Sequence, residues 1–130
     1  MDIETILKQS KTVAVVGLSS NPDRASHRVA AYLQQAGYRI VPVRPGEDEI
    51  LGEKVYTSLK EIPFPVDIVD VFRKPDAVGP VVDEAIEIGA KVLWLQEGVT
   101  HPEAEDRARS AGLTVISDLC ILSEHRKAAL

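Results

Sequence analysis

The sequence predicts an α/β fold: a doubly wound parallel five-stranded sheet with helices on both faces. Three observations carry that expectation. Apolar runs rich in Val, Ile and Leu recur at Thr12–Val16, Tyr38–Val43, Val66–Phe72, Lys91–Leu95 and Leu113–Ile116. Such runs are the composition of strands buried on both faces, as in a parallel sheet. Segments with apolar residues at helical spacing alternate with them, and the connections are short and punctuated by glycine or proline. That alternation implies parallel strands joined by helical crossovers. The expected spatial order is 3-2-1-4-5, with a ligand crevice at the carboxyl ends where strands one and four diverge.

Asp2 is placed to cap a short first helix, with Ile3, Ile6 and Leu7 on one face. Strand one, Thr12–Val16, ends at Gly17, where a tight turn carries no Cβ penalty. Val29, Ala30, Leu33 and Ala36 then mark a helix from about Ser26 to Ala36, stopped by Gly37. In strand two, Pro42 lacks an N–H and belongs near the strand's end or on an exposed side. Arg44-Pro45-Gly46 breaks into an acidic loop, Glu47-Asp48-Glu49, and Thr57 or Ser58 opens a short helical turn through Leu59 and Ile62. Pro63 and Pro65 fence off strand three. Pro75 opens the next helix, whose stripe is Val78, Val81, Val82, Ala85 and Ile86 and whose stop is Gly89. Strand four carries the single tryptophan, Trp94, and Gln96-Glu97-Gly98 follows as a loop. Thr100-His101-Pro102-Glu103 has the capping-box spacing, and its helix stops at Gly112. After strand five, Asp118-Leu119-Cys120 turns into a last helix, Ile121 to about Lys127.

The 130 residues form one expected domain, 1–130, long enough to bury a real core. A formal net charge of −5 with no basic run argues against a nucleic-acid partner. The apolar stretches are strand-length, which excludes a membrane-spanning segment, and the acidic start lacks the basic region of a secretion signal. One cysteine, Cys120, permits no internal disulfide and suits a cytoplasmic setting. No Cys/His cluster has metal-ligand spacing, so no metal is expected.

Strand, glycine turn and helix at 12–36 form the opening unit of a nucleotide-binding fold, whose backbone N–H groups make an anion site. The pattern is Gly17-x-Ser19 rather than the glycine-rich G-x-G-x-x-G of dinucleotide sites. A plain βα turn with solvated polar residues is the alternative. Against it stands the density of polar groups: Ser19, Ser20, Asn21, Arg24, Ser26 and His27 lie within one loop and one helical turn. The end of strand two discriminates between nucleotides. An NAD site places an acid there for the ribose hydroxyl, whereas this chain has Val43-Arg44-Pro45. An arginine suits an additional ribose phosphate, as on NADP or coenzyme A, or is a surface residue in solvent.

Several segments together resemble a known family. They are Val15-Val16-Gly17-Leu18-Ser19, Pro42-Val43-x-Pro45, Asp67-Ile-Val-Asp70-Val-Phe72-Arg73, Val92-Leu-Trp94-Leu-Gln96-x-Gly98-Val99 and Asp118-Leu-Cys120 with Glu124-His125 beyond it. They resemble the small stand-alone CoA-binding proteins, which are similar to the N-terminal CoA-binding domain of the succinyl-CoA synthetase alpha subunit. The resemblance covers nearly the whole chain. It implies a Rossmann-like domain holding coenzyme A, or an acyl-CoA, across the carboxyl edge of the sheet. Carried over by position, Gly17, Leu18, Ser19, Ser20 and Asn21 contact the phosphate region, with Arg24 and His27 beside them. Arg44 and Pro45 flank the adenosine end. Phe72, Arg73 and Lys74 line nucleotide and pantetheine after strand three, and Gln96 and Gly98 do so after strand four. The chain departs from the family at Arg44, where the family reads Val-Asn-Pro. The synthetase's second domain, which carries the phosphorylated histidine, has no counterpart before Leu130.

No catalytic constellation is found. His27, His101 and His125 are far apart, His101 being read as a first-turn residue in solvent and His125 as a surface or packing residue. Asp67 and Asp70 fall on opposite faces of a strand and do not make an acid/base pair. Cys120 is read as a small buried hydrophobe at the sheet edge, the alternative being a thiol near the pantetheine end. The function expected is therefore non-catalytic binding of coenzyme A or acyl-CoA, as carrier, sensor or accessory module. Two enzymatic alternatives stand beside it: an NADP-dependent reductase, or a subunit of an acyl-CoA ligase needing a partner chain. A structural domain with a vestigial pocket is a further reading. The expected partners are the nucleotide ligand, a second copy in a homodimer, or an acyl-CoA enzyme.

Overall fold

A computed structural model describes residues 2–130. Five parallel strands form the sheet: β1 (Thr12–Val16), β2 (Arg39–Val43), β5 (Ile68–Val71), β6 (Val92–Leu95) and β7 (Thr114–Ile116). A two-stranded antiparallel ribbon, β3 (Glu49–Ile50) with β4 (Glu53–Lys54), lies between β2 and β5 in sequence. The helices are α1 (Ile3–Gln9), α2 (Ala25–Gln35), α3 (Val78–Glu87), α4 (Pro102–Ser110) and α5 (Ile121–Ala128), with single 3-10 turns at Leu59–Glu61 and Pro75–Ala77.

The order across the sheet is β2-β1-β5-β6-β7. Beyond β2 the chain makes one further parallel bridge, Val43 to Tyr56. With that stub counted as the third strand, the order begins 3-2-1-4-5 as expected. The occupant of third place is corrected, however. The segment 66–72 was expected there and instead takes fourth place, with Ile68 to Val71 paired directly to Val13 to Val16. Burial explains the exchange. Ile68, Val69, Asp70 and Val71 are all buried and need a neighbour on each side, whereas Tyr56, half-buried behind charged Glu53 and Lys54, suits an edge.

Each face of the sheet has its own core. Ala14, Val16, Val69, Val71, Leu93 and Leu95 point to the side covered by α3 and α4, against Val78, Val82, Ala85, Ala104 and Ala108. Val13, Val15, Ile68, Trp94 and Ile116 point to the side covered by α1, α2 and α5, against Leu7, Val29, Leu33 and Ile121. Trp94 is fully buried, and its indole N–H donates to the Leu119 carbonyl (2.9 Å), which fastens the turn that leads into α5. Asp2 caps α1 as expected, accepting from the Thr5 N–H (2.8 Å).

The expected start of α4 is corrected, and His125 takes one of its two expected roles. The N-cap of α4 is His101, not Thr100, and it is no solvent residue: its Nδ1 accepts from the Ala104 N–H (3.2 Å) while its own N–H donates to buried Glu105 (2.8 Å). The cap moves one residue along, with Glu105 in place of Glu103 as its acid, because Pro102, which has no N–H, takes the first helical position. His125 is a packing residue, buried between the edges of Tyr32 and Tyr38 and hydrogen-bonded to the Tyr32 hydroxyl (2.7 Å).

Asp67 ties the amino end of the sheet together. Its carboxylate accepts from the backbone N–H groups of Lys11 (2.8 Å) and Thr12 (3.0 Å) and faces the Lys91 ammonium (3.5 Å). Partial burial pushes this carboxyl up, but the two backbone donors and Lys91 outweigh it and hold it below 3.8. Charge-assisted bonds of this kind give Asp67→Ala an expected cost of about 1.5–3 kcal/mol, measured by urea denaturation at neutral pH. Because the folded-state value is lowered, the stabilisation is present above 3.8 and is lost as pH falls through the lower folded value. The difference between wild type and variant should therefore shrink on acidification.

Candidate ligand-binding cleft

The carboxyl ends of β1, β5 and β6 open into a cleft of about 730 Å³. Its centre is the turn after β1. Gly17 adopts φ +87°, its N–H donates to the Val43 carbonyl (2.9 Å), and a Cβ built there would lie 2.3 Å from the Phe72 carbonyl oxygen. The turn therefore presses directly on the end of β5, an approach only glycine allows. Ser26, buried on the first turn of α2, accepts from the Ser19 N–H (3.0 Å). The Ser19 hydroxyl accepts from the Asn21 N–H (3.0 Å), and His27 Nδ1–H donates to the Ser19 carbonyl (2.9 Å). These bonds lock the loop onto the start of α2.

The amino end of α2 is left open. Arg24 occupies the N-cap position without a side-chain cap bond, and the first turn contains no acid. A helix start normally attracts a capping acceptor or an acid; this one has neither, so its positive dipole end is left without a side-chain partner.

Nine of the fourteen residues that the family resemblance assigns to the ligand line the cleft: Gly17, Ser19, Arg24, Arg44, Phe72, Arg73, Lys74, Gln96 and Gly98. The other five do not. Leu18 is fully buried in the core beneath the turn, and His27 is occupied with Ser19. The Ser20 hydroxyl donates to Glu47 (2.9 Å), and the Asn21 side chain accepts from the Asp23 N–H (2.9 Å). Pro45 lines a smaller neighbouring cavity of about 240 Å³, whose wall includes Thr57, Ser58, Pro80 and Val81. Arg44 and Arg73 belong to the walls of both cavities, so the two adjoin at these guanidinium groups.

Cys120 departs from its expected place as a buried hydrophobe at the sheet edge. It is half-buried at the head of α5 and lines the cleft. The loop after β7 is bent over the sheet's end by Asp118, at φ +58°, whose carboxylate accepts from the Gly98 N–H (2.7 Å). Tertiary packing adds two features. Gln96 is buried and donates from its side-chain nitrogen to Asp70, while its oxygen accepts from the Ile121 N–H (3.4 Å). Asp70 itself is fully buried in the middle of the sheet, with burial pushing its carboxyl up to about 8 against a smaller downward pull from Gln96. The signal for it was present: a lone acid inside an apolar Ile-Val-Asp-Val-Phe run.

Electrostatically the cleft lining carries four cations against one acid, Glu97. Among the described residues, the ion pairs engage Lys8, Lys60, Lys91, Arg107, Arg109 and Lys127, all away from the cleft. Arg24, Arg44, Arg73 and Lys74 line the cleft with no carboxylate partner, in a chain of net charge −5. Arg44 only bridges to its neighbour, donating from Nε to the Pro45 carbonyl (3.1 Å).

Comparison with known proteins adds the family. Residues 11–126 match the family model of a CoA binding domain. The chain is 49% identical over 124 residues to the protein YneT of Bacillus subtilis, covering 95% of this chain and 92% of that one. A solved structure from Pyrococcus horikoshii superposes with a TM-score of 0.96 at 39% identity, covering 99% of this chain and 91% of that one. The chain is also 34% identical over 120 residues to the alpha subunit of an ADP-forming acetate–CoA ligase of Pyrococcus furiosus, covering 84% of this chain but 26% of that subunit.

The close approach at Gly17 gives a direct prediction. Gly17→Ala must find room for a Cβ 2.3 Å from the Phe72 carbonyl and hold a left-handed φ. The conformation alone costs an L-residue about 1–2 kcal/mol, and the contact adds to it. Thermal denaturation should show a marked loss of stability, whereas Gly46→Ala, with left-handed φ but open space, should lose less.

Proposed function

The chain belongs to the family of CoA-binding domains, and on that premise we propose that it holds coenzyme A or an acyl-CoA across the carboxyl edge of the sheet without turning it over by itself. The observation that carries this reading is the set of four unpaired cations, Arg24, Arg44, Arg73 and Lys74, gathered around the Gly17 turn and the open end of α2. A polyphosphate needs such a supply of positive charge and N–H donors. The paired cavities suit an elongated ligand. In this reading the base lies in the smaller cavity among Pro45, Pro80 and Val81. The phosphates lie at Gly17, Arg44 and Arg73, and the pantetheine crosses the larger cleft toward Gln96 and Gly98.

His27 is engaged with Ser19, while His101 and His125 serve a helix cap and a packing cluster. The relationship to a ligase alpha subunit favours a second reading, in which this chain is the CoA-holding part of an acyl-CoA ligase completed by another chain. Size-exclusion chromatography of the protein isolated from its native cells distinguishes the two: a stable complex with a second polypeptide supports the ligase reading.

The ligand is tested by thermal shift with coenzyme A, acetyl-CoA, dephospho-CoA, NAD and NADP at matched concentrations. A ligand present at about a hundred times its Kd stabilises the fold by about 2.7 kcal/mol. For a chain of this size the expected rise in Tm is on the order of 10 °C. A shift with NADP and none with any CoA species would overturn the proposal. Arg44→Ala is expected to cost about 1.5–3 kcal/mol of affinity for coenzyme A, by calorimetry, and little for dephospho-CoA. An equal loss with both ligands would place Arg44 away from the ribose phosphate.

A further inference from the structure

Asp70 is the most unusual side chain in the molecule. It lies at the centre of the sheet, with Val15 of β1 and Trp94 of β6 as its register neighbours, and none of its surface reaches solvent. One carboxyl oxygen accepts from the Gln96 side-chain nitrogen. The other, Oδ2, is the one buried side-chain polar atom without a hydrogen-bond partner among the described residues. A native fold seldom keeps such an atom, because burying an unpartnered polar group costs stability and packing alone would be served better by a valine.

The position of Gln96 gives the carboxyl a route to the site. Gln96 lines the cleft, and its amide is used at both ends: the nitrogen by Asp70, the oxygen by the Ile121 N–H at the first turn of α5. Cys120, which precedes Ile121, lines the same cleft. A chain of contacts therefore runs from the middle of β5 to the cleft floor and the head of α5. We infer that Asp70 is a positioning residue which, acting through Gln96, fixes this floor and admits a polyanionic ligand only while its carboxyl is uncharged. The inference rests on the proposal that the ligand is a CoA species.

The electrostatics give the sign. Burial holds the carboxyl neutral until about pH 8. Above that, a negative charge appears in a low-dielectric region one side chain below the cleft, where it opposes the phosphates. No compensating cation is at hand. Titratable or charged side chains on the elements covering this face are Glu4 and Lys8 of α1, His27, Arg28 and Tyr32 of α2, and Glu124, His125, Arg126 and Lys127 of α5, with Cys120 at its head. Most are engaged with one another or with the backbone: Lys8 with Glu4, Lys127 with Glu124, Arg28 with the Asp23 carbonyl, His27 with Ser19, Tyr32 with His125, and Arg126 over the Tyr32 ring; none is a hydrogen-bond partner of Asp70. Phe72 follows just past the end of β5, and β1 and β6 offer only apolar register neighbours. The charged groups of the cleft itself, Arg24, Arg44, Arg73, Lys74 and Glu97, line its wall and include none of Asp70's hydrogen-bond partners.

The test compares wild type with Asp70→Asn, which keeps the shape and the acceptor for Gln96 but cannot ionise. Two readouts are followed from about pH 6.5 to about pH 9.5. The first, without ligand, is the NMR shift of the Gln96 side-chain amide and the Ile121 N–H. Both should titrate with a common midpoint near 8 in wild type and stay flat in the variant. The second is coenzyme A affinity by calorimetry. Wild type should lose about tenfold more affinity than the variant across the range, a difference that cancels the ligand's own titration. Amide signals that do not titrate, or affinities that fall in parallel for the two proteins, overturn the inference. Absence of coenzyme A binding at every pH in both proteins overturns the ligand proposal instead. The unliganded amide titration then still decides whether Asp70 governs the floor.

Discussion

The contact on which the rest of the site depends is that between Gly17 and the end of β5. β1 and β5 are adjacent and parallel, and the turn that leaves β1 must cross the carboxyl end of its neighbour. With no Cβ, Gly17 lies against the Phe72 carbonyl and still donates to Val43 on the other side. Three strand ends are thereby held at one level. The start of α2, the Arg44 loop and the Phe72–Lys74 loop consequently converge on a single cleft instead of splaying apart. A larger residue at this point would lift the turn, and with it the N–H groups that make a helix start an anion site.

Charge is distributed to match that geometry. Elsewhere on the surface six of the lysines and arginines are matched with acids, as Arg107 is with Asp83 and Glu103. Around the cleft they are not. An acidic protein that leaves four cations unpaired at one rim concentrates its positive field there, which favours capture of an anionic ligand over general attraction to polyanions. The open N-terminus of α2 contributes in the same sense, and the burial of Asp70 as a neutral acid keeps an opposing charge from the floor. Arginine at position 44 is in a different class from the asparagine of the similar family pattern, because it brings charge and a fork of donors.

The floor itself is assembled from parts distant in sequence. Trp94 fastens the Leu119 carbonyl, Asp118 accepts from Gly98, and Gln96 joins Asp70 to Ile121. Each bond links the end of β6 to the turn after β7 or to β5. Together they carry Cys120 over the cleft, away from the sheet edge where its small apolar character had placed it. Local pattern says nothing about such bonds, because each partner is chosen by where the strands end in space.

The sequence by itself determined the alternation of strands and helices, because period, glycine stops and proline breaks are local properties of the chain. It determined the glycine turn after β1 as well, since strand, glycine and helix start are contiguous. It also contained most of the cleft's charged lining, because the loops at strand ends are short and each places its first residues over the sheet's edge. Tertiary structure decided which strand takes which place. The run at 66–72 enters the centre because all its faces need burial, and Tyr56 is left to form the edge. Tertiary structure also decided which polar residues face the cleft and which are spent internally. Ser20 turns to Glu47, Asn21 to its own loop and His27 to a backbone carbonyl, while Gln96 is held between Asp70 and α5. Those partners are set by packing between segments far apart in the chain, and residue type alone does not choose among the donors and acceptors that packing brings within reach.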